Sequence, residues 1–167
     1  MEARIITKPG FDVIGYAIRT RTVDGENNRD IPAFWQRYAQ EGMGKRLHDQ
    51  AASNAEYGIC DDFDCQSNEF SYIIGVEAKE DAIVPEGAIR RRYPERMYAV
   101  FTTPKAAPEQ YVQSIQDTWA AIFRDWLPNS NYEHTAAPEF EYYDERSCSE
   151  RNELLEMDIY IPVKAKA

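Results

Sequence analysis

An internal duplication constrains the fold of this 167-residue chain more than any other feature of its sequence. Three pairs of matching segments lie 82 to 84 positions apart: residues 16–20 and 98–102, Trp35 and Trp119, and residues 57–61 and 140–144. Recurrence at a nearly constant spacing indicates two copies of one supersecondary unit. We therefore predict a single domain built from a first repeat at about residues 1–82 and a second at about residues 93–167.

Hydrophobic periodicity predicts the same order of elements, β-α-β-β, in both copies. Asp30 is the expected N-cap of the first helix, with Pro32 in its first turn, and Gly42 and Gly44 mark its end. Pro108 opens a second helix that Pro128 ends. The strands are expected at residues 4–8, 11–23, 57–61, 70–78, 97–103, 139–143 and 154–163. The predicted fold class is α+β, with an antiparallel sheet, two main helices and a ligand groove between the repeats.

The charge of the chain argues against nucleic acid as a direct partner. There are 29 acidic and 19 basic residues, which gives a net charge of −10. Such a chain repels phosphates, and its one basic run, Arg90 to Arg92, is expected to lie in an exposed loop. No segment is apolar over 18 residues and no signal peptide is visible, so we expect a cytoplasmic protein that does not associate with a membrane.

No motif for metal binding, cofactor binding or catalysis is present. Cys60, Cys65 and Cys148 form neither an even disulfide framework nor a pair of C-x2-C metal motifs, so we interpret them as structural or incidental. Phosphate-binding glycine loops, nucleophile elbows and zinc-protease motifs are all missing from the sequence. We therefore predict no catalytic residue, no metal and no cofactor.

Glu141 is the central candidate for a binding residue. Strand alternation places Glu141 and Tyr143 on one face and the neighbouring aromatic residues, Phe140 and Tyr142, on the other. If Phe140 and Tyr142 pack under the helices, Glu141 faces the opposite groove. The matching position in the first repeat is Gly58, which would leave space beside the carboxylate. Glu141 is then either a solvated strand residue or a sheltered anion that binds a cation.

Aromatic residues supply the second ingredient of a cation site. The 11 Tyr, 7 Phe and 3 Trp residues make up 13% of the chain, and aromatic faces attract organic cations. Tyr57 and Tyr72 lie on the predicted hairpin of the first repeat, and Tyr111 and Trp119 lie on one face of the second helix. Trp119 could equally be a core residue. Glu77 either adds a second negative charge to the groove or lies at the surface.

The pattern resembles the GyrI-like small-molecule-binding domain, which also forms the effector-binding half of AraC-type and multidrug-sensing MerR-type regulators. The resemblance extends over almost the whole chain and is carried by these segments: residues 30–35, 57–60, 70–77, 98–101, 126–128, 140–144 and 159–163.

The resemblance implies a groove in which Glu141 is the buried acid that meets cationic aromatic ligands, with Tyr72 and Tyr111 in the pocket wall. No DNA-binding segment is recognisable at either end, so the chain resembles the free-standing drug-binding modules of integron cassettes. The resemblance therefore implies that this chain does not bind nucleic acid itself. It is compatible with a homodimer or with a partner regulatory chain.

Three functions stay open on the sequence. The leading hypothesis is a module that binds lipophilic cationic aromatic molecules through Glu141. A second is a small-molecule hydrolase that uses Glu141 as base or nucleophile. A third is an acidic module that binds or inhibits a basic protein surface.

Overall fold

The computed structural model describes residues 1–167 and divides them into two compact units. The N-terminal unit is Gly10–Pro94, and the C-terminal unit is Met1–Pro9 together with Glu95–Ala167. These units differ from the predicted repeats at the amino terminus. The first strand belongs to the C-terminal unit because residues 4–8 pair antiparallel with residues 96–100.

The strands in chain order are β1 (Arg4–Lys8), β2 (Phe11–Arg21), β3 (Ala51–Asp64), β4 (Glu69–Ala78), β5 (Ile89–Tyr93), β6 (Arg96–Thr102), β7 (Tyr132–His134), β8 (Glu139–Tyr143) and β9 (Asp158–Ala165). The helices are α1 (Glu26–Gln40), α2 (Met43–His48) and α3 (Pro108–Ala121), and α3 continues through a π-helical turn, Ile122–Trp126, to a last short turn, Leu127–Asn129. None of the helices is long and apolar enough to cross a membrane.

Each unit is an antiparallel sheet with one main helix against one of its faces. The strand order is β3-β4-β2-β5 in the N-terminal unit and β1-β6-β9-β8 in the C-terminal unit, where β7 also pairs with β9. In the N-terminal unit, Phe34 and Tyr38 of α1 pack against Ile74 of β4. In the C-terminal unit, Ile115 of α3 packs against Ile159 of β9. The predicted α+β class with two main helices is confirmed.

The first helix begins earlier than its sequence indicates. Gly25, with φ of 67°, is the N-cap of α1, and Pro32 lies inside the helix. The prediction of Asp30 as N-cap is wrong because α1 already begins at Glu26, which places Asp30 inside the helix. Its carboxylate has a tertiary partner instead, since the Thr20 hydroxyl donates to Asp30 Oδ2 over 2.7 Å. A side chain that is bonded across to β2 does not need to cap the backbone amides of its own helix.

The end of the first helix also differs from the prediction. The helix stops at Gln40, and Gly42 adopts a positive φ of 63°, which glycine accommodates without steric cost. Gly44 is not a helix terminator, since it lies inside the short helix α2. A Cβ atom on Gly44 would lie 3.1 Å from the Tyr38 hydroxyl, so a small residue lets α2 approach α1 closely.

The basic run at residues 90–92 is part of a strand, and the prediction of a loop is wrong. These residues form β5, which pairs antiparallel with β2. Arg90 Nε and Arg92 Nη1 donate to the Asp12 carboxylate of β2 over 2.8 and 2.9 Å. Hydrogen bonds from Arg92 and Arg90 lower the pKa of Asp12. An edge strand stabilised by cross-strand ion pairs shows little hydrophobic alternation, which explains why the pattern missed it.

The strand pairing shows which residues of the two repeats correspond to each other. In the N-terminal unit, Ile74 lies opposite both Tyr16 and Gly58, and in the C-terminal unit, Ile159 lies opposite both Phe101 and Glu141. Gly58 and Glu141 therefore correspond, as the sequence spacing indicates. The counterpart of Tyr16 is Phe101, at a separation of 85, rather than the residue at 98 that the sequence match had suggested. An odd shift of three residues turns the side chain to the other face of the sheet.

Candidate functional site

Glu141 is a buried carboxylate held by two aromatic hydrogen-bond donors. The residue is 5% exposed and lies on β8. The indole N–H of Trp119 donates to Glu141 Oε1 over 2.8 Å, and the hydroxyl of Tyr143 donates to Glu141 Oε2 over 3.0 Å. Both of these donors are electrically neutral. Of the two interpretations that the sequence left open, the solvated strand residue does not fit this geometry.

The main helix α3 lies on the Glu141 side of β8, since Trp119 of that helix donates to the carboxylate. The alternation within β8 is as predicted, but Phe140 and Tyr142 point away from α3. Phe140 stacks on Tyr160 at a centroid distance of 4.5 Å and meets Tyr98 edge to face at 5.3 Å. The condition stated for that prediction, that these two aromatics pack under the helix, is therefore not met. Aromatic residues can bury their area on either face, so their position alone does not identify the helix side.

Trp119 and Phe123 form an aromatic surface beside the carboxylate. Their rings are parallel, with an interplanar angle of 6° and a centroid distance of 6.2 Å. Trp119 is half-buried, whereas Phe123 is 42% exposed. His134 of β7 lies against the Phe123 ring at 5.9 Å. Phe123 is not among the binding residues predicted from the sequence, although its spacing of four from Trp119 predicts a shared helix face.

Tyr111 completes the aromatic surroundings of Glu141. It is half-buried and packs with Trp119 and Tyr143 on the core of the C-terminal unit. Its hydroxyl donates to Ser147 Oγ over 3.0 Å. Burial, together with the nearby Glu141 charge, raises the pKa of Tyr111 to about 12. Four predicted binding residues, two from β8 and two from α3, therefore lie in one unit: Glu141, Tyr143, Trp119 and Tyr111.

The predicted residues of the N-terminal unit divide between the two faces of its sheet. Gly58 and Tyr72 lie on the face that packs against α1, where the indole N–H of Trp35 donates to the Tyr72 hydroxyl over 2.9 Å. Tyr57 and Glu77 lie on the opposite face, where the Tyr57 hydroxyl donates to Glu77 Oε2 over 2.9 Å. The four cannot all line one surface of this sheet, and their contact with a ligand stays a prediction.

A second sheltered carboxylate, Glu56, was missed by the sequence analysis. The Tyr38 hydroxyl donates to Glu56 Oε1 over 2.9 Å. Burial raises the pKa of Glu56, although this hydrogen bond opposes the shift. Burial and the Glu56 charge also raise the pKa of Tyr38. The available signal was the position of Glu56 two residues before Gly58, which puts both on the same face of β3.

Other features of the chain do not form a recognisable site. The three cysteines are thiols rather than disulfides, and no group of three or more His, Cys, Asp or Glu side chains is arranged to hold a metal ion. A polar surface depression contains none of the predicted binding residues. Its lining includes His48, Asp49, Asn54 and Lys79.

The match to known proteins extends over nearly the whole chain. Residues 4–163 match the family of integron-associated effector-binding proteins. The transcriptional regulator BrlR of Pseudomonas aeruginosa is 35% identical over 166 residues, which are 98% of this chain and 56% of the regulator. The chain thus spans little more than half the length of that relative.

Two solved structures share the fold at low sequence identity. The structure of SAV2435 bound to tetraphenylphosphonium has a TM-score of 0.80 at 21% identity and covers 98% of this chain and 94% of that one. The integron cassette protein VCH_CASS2 from Vibrio cholerae has a TM-score of 0.65 at 19% identity, with coverage of 97% and 95%. The resemblance predicted from sequence segments is confirmed, and the chain belongs to the family of integron-associated effector-binding proteins.

Proposed function

We propose that this protein binds lipophilic cations that carry aromatic groups, and that Glu141 is the anion that they meet. The observation that carries the proposal is the burial of Glu141 to 5% exposure between the neutral donors Trp119 and Tyr143. A buried carboxylate loses its hydration, and the hydrogen bonds that it accepts recover part of that loss. An organic cation close to Glu141 would recover more, because two opposite charges attract strongly where water is excluded.

The aromatic surface beside Glu141 suits the apolar part of such a ligand. The exposed ring of Phe123 stacks on the half-buried Trp119, which itself donates to the carboxylate. A ligand ring could stack on the outer aromatic while its cationic centre approaches the inner anion. Each well-placed aromatic face contributes roughly 0.5–2 kcal/mol to cation binding. The net charge of −10 would also draw cations toward the protein at low ionic strength.

The comparisons support a ligand of this class. The family is described as effector-binding, and the similar structure SAV2435 was determined with tetraphenylphosphonium, which is an aromatic lipophilic cation. The relative BrlR is a transcriptional regulator. We therefore infer that this chain acts as an effector-binding module, and any control of transcription would depend on a DNA-binding segment or partner.

The decisive experiment compares a cation with a neutral molecule of related shape. Tetraphenylphosphonium and neutral triphenylphosphine oxide are titrated by calorimetry into the wild-type protein and into Glu141→Gln. We expect the wild type to prefer the cation, and Glu141→Gln to lose roughly tenfold or more in affinity for it, which corresponds to about 1.4 kcal/mol. Affinity for the neutral compound should change little.

The matched control is Glu153→Gln, which removes the same charge from an exposed position of the C-terminal unit. It separates the local role of Glu141 from the effect of net charge. Equal cation affinities in the wild type and Glu141→Gln would refute the proposal.

A further inference from the structure

We propose that Arg146 is a positioning residue of the ligand site, because it anchors the turn from which Ser147 holds the hydroxyl of Tyr111. The inference rests on the proposed function, since it concerns the same aromatic surroundings of Glu141. Arg146 itself lies outside the group of residues expected to touch a ligand.

Arg146 is fixed by two carboxylates at once. Its Nε donates to Asp144 Oδ1 over 2.9 Å, and its Nη2 donates to Asp158 Oδ2 over 3.0 Å. Asp158 is 5% exposed and also accepts from the Thr102 hydroxyl over 2.6 Å and from Arg4 over 3.1 Å. A planar guanidinium that bridges two acids has a defined orientation, which a flexible ammonium would not reproduce.

The backbone around Arg146 is held as firmly as its side chain. The Arg146 backbone N–H donates to Asp144 Oδ1 over 3.0 Å, which caps the short 3-10 turn Glu145–Ser147. The Glu156 backbone N–H donates to the Arg146 carbonyl over 3.4 Å. Burial acts to raise the pKa of Asp144, but hydrogen bonds from the side chain and backbone of Arg146 together lower it, so the pair stays charged at neutral pH.

Ser147, the next residue, connects the anchored turn to Tyr111. Its hydroxyl donates to the Glu156 carbonyl over 3.1 Å and accepts from the Tyr111 hydroxyl over 3.0 Å. A serine hydroxyl that both donates and accepts has a fixed direction, and it therefore fixes the tyrosine as well. Tyr111 packs in the same cluster as Trp119, which donates to Glu141.

A held aromatic ring binds a ligand better than a mobile one, because the cost of ordering it has already been met in the free protein. Ordering one interface side chain weakens binding by roughly 2- to 10-fold. We therefore expect Ser147→Ala and Arg146→Gln each to raise the Kd for tetraphenylphosphonium by about that factor. Ser147→Thr keeps the hydroxyl and should restore an affinity close to that of the wild type.

The experiment is a double-mutant cycle with Tyr111→Phe, read by calorimetric titration of tetraphenylphosphonium. Tyr111→Phe keeps the ring but removes the hydroxyl that donates to Ser147 Oγ. Ser147→Ala should therefore cause no further loss of affinity in the Tyr111→Phe background. Arg124→Gln is the control, since Arg124 pairs with Asp125 over 2.7 Å at an exposed position of the same unit. Near-ultraviolet circular dichroism checks that each variant retains its tertiary packing.

Two outcomes would overturn the inference while leaving the proposed function intact. One is wild-type affinity in Arg146→Gln. The other is a loss in Ser147→Ala that is equally large with and without the Tyr111 hydroxyl. If the wild type does not bind tetraphenylphosphonium, the proposed function itself fails, and the inference fails with it. If Arg146→Gln does not fold, Arg146→Lys takes its place, since it keeps the charge but not the planar contact with both carboxylates, and wild-type affinity in that variant would overturn the inference.

Discussion

The indole N–H of Trp119 lies 2.8 Å from Oε1 of Glu141, so the main helix of the C-terminal unit supplies a donor to the buried acid of its sheet. The corresponding tryptophan of the N-terminal unit, Trp35, donates instead to the neutral hydroxyl of Tyr72 over 2.9 Å. The two repeats therefore use the same helix residue in different ways. One indole stabilises a carboxylate and the other stabilises a phenol, which permits a direct comparison of the two hydrogen bonds.

Trp119→Phe should destabilise the protein more than Trp35→Phe. Hydrogen bonds to charged groups contribute roughly 1.5–3 kcal/mol and those between neutral groups about 0.5–1.5 kcal/mol. Both substitutions remove an indole N–H and leave an aromatic ring, so each serves as the control for the other. Urea unfolding followed by circular dichroism measures the free energies of unfolding. Equal losses would contradict a special role for the Trp119 bond.

Glu141→Gln should be as stable as the wild type or more stable, although it binds cations less well. The amide oxygen can still accept from Trp119, and the variant no longer carries a buried charge. Loss of the charge relieves the cost of burying it, which offsets the weaker hydrogen bonds that the amide accepts. Chemical unfolding in the absence of ligand tests this expectation.

The wild type and Glu141→Gln should also differ in how much an added ligand raises their melting temperatures. A ligand at 100 times its Kd stabilises the folded state by about 2.7 kcal/mol, so tetraphenylphosphonium should raise the melting temperature of the wild type. Glu141→Gln should show a much smaller rise at the same ligand concentration. A large loss of stability in the unliganded variant would instead assign Glu141 a structural role.

Glu56→Gln should make the stability of the protein less dependent on pH. Burial raises the folded-state pKa of Glu56 above its ordinary value of 4.5. Because the folded state holds this proton more tightly than the unfolded state, its contribution to stability is present below pH 4.5 and is lost as the pH rises through the raised pKa. Glutamine can still accept from Tyr38 but does not titrate.

The measurement for Glu56 is urea unfolding at a series of pH values from about 4 to 8, a window chosen around ordinary carboxyl pKa values. The difference in unfolding free energy between Glu56→Gln and the wild type should grow with pH across that window. Glu153→Gln, at an exposed position, should show no such trend. A constant difference for Glu56→Gln would contradict the assignment.

Gly75→Ala should destabilise the N-terminal unit. Gly75 of β4 lies directly opposite Gly15 of β2, and a Cβ atom on Gly75 would clash with the Ile14 carbonyl oxygen. This oxygen belongs to the backbone of β2 and cannot move aside as a flexible side chain could, so the two strands would have to separate locally. Overpacking of this kind costs roughly 1–3 kcal/mol. Thermal unfolding measures the loss, and an unchanged melting temperature would show that the strands adapt.

Local sequence patterns predicted the elements whose residues carry their own conformational signal. The strand at residues 139–143 and the start of α3 at Pro108 are placed where alternation and the proline indicated. Elements without such a signal were missed or displaced, as with the charged strand β5, whose arginines are stabilised by Asp12 on a neighbouring strand. Asp30 was predicted as a cap for the same reason: its partner Thr20 lies on another element, β2, and local patterns do not show contacts between elements.

By itself, the sequence determined that the chain is a duplicated α+β protein and that Glu141 shares a strand face with Tyr143, because periodicity fixes which side chains point together. Only the tertiary structure decided that this face meets α3, that Trp119 donates to the carboxylate, and that Ser147 holds Tyr111. Those contacts join residues from separate elements, and their geometry depends on how helix, sheet and turn pack together. No periodicity within one segment carries that information.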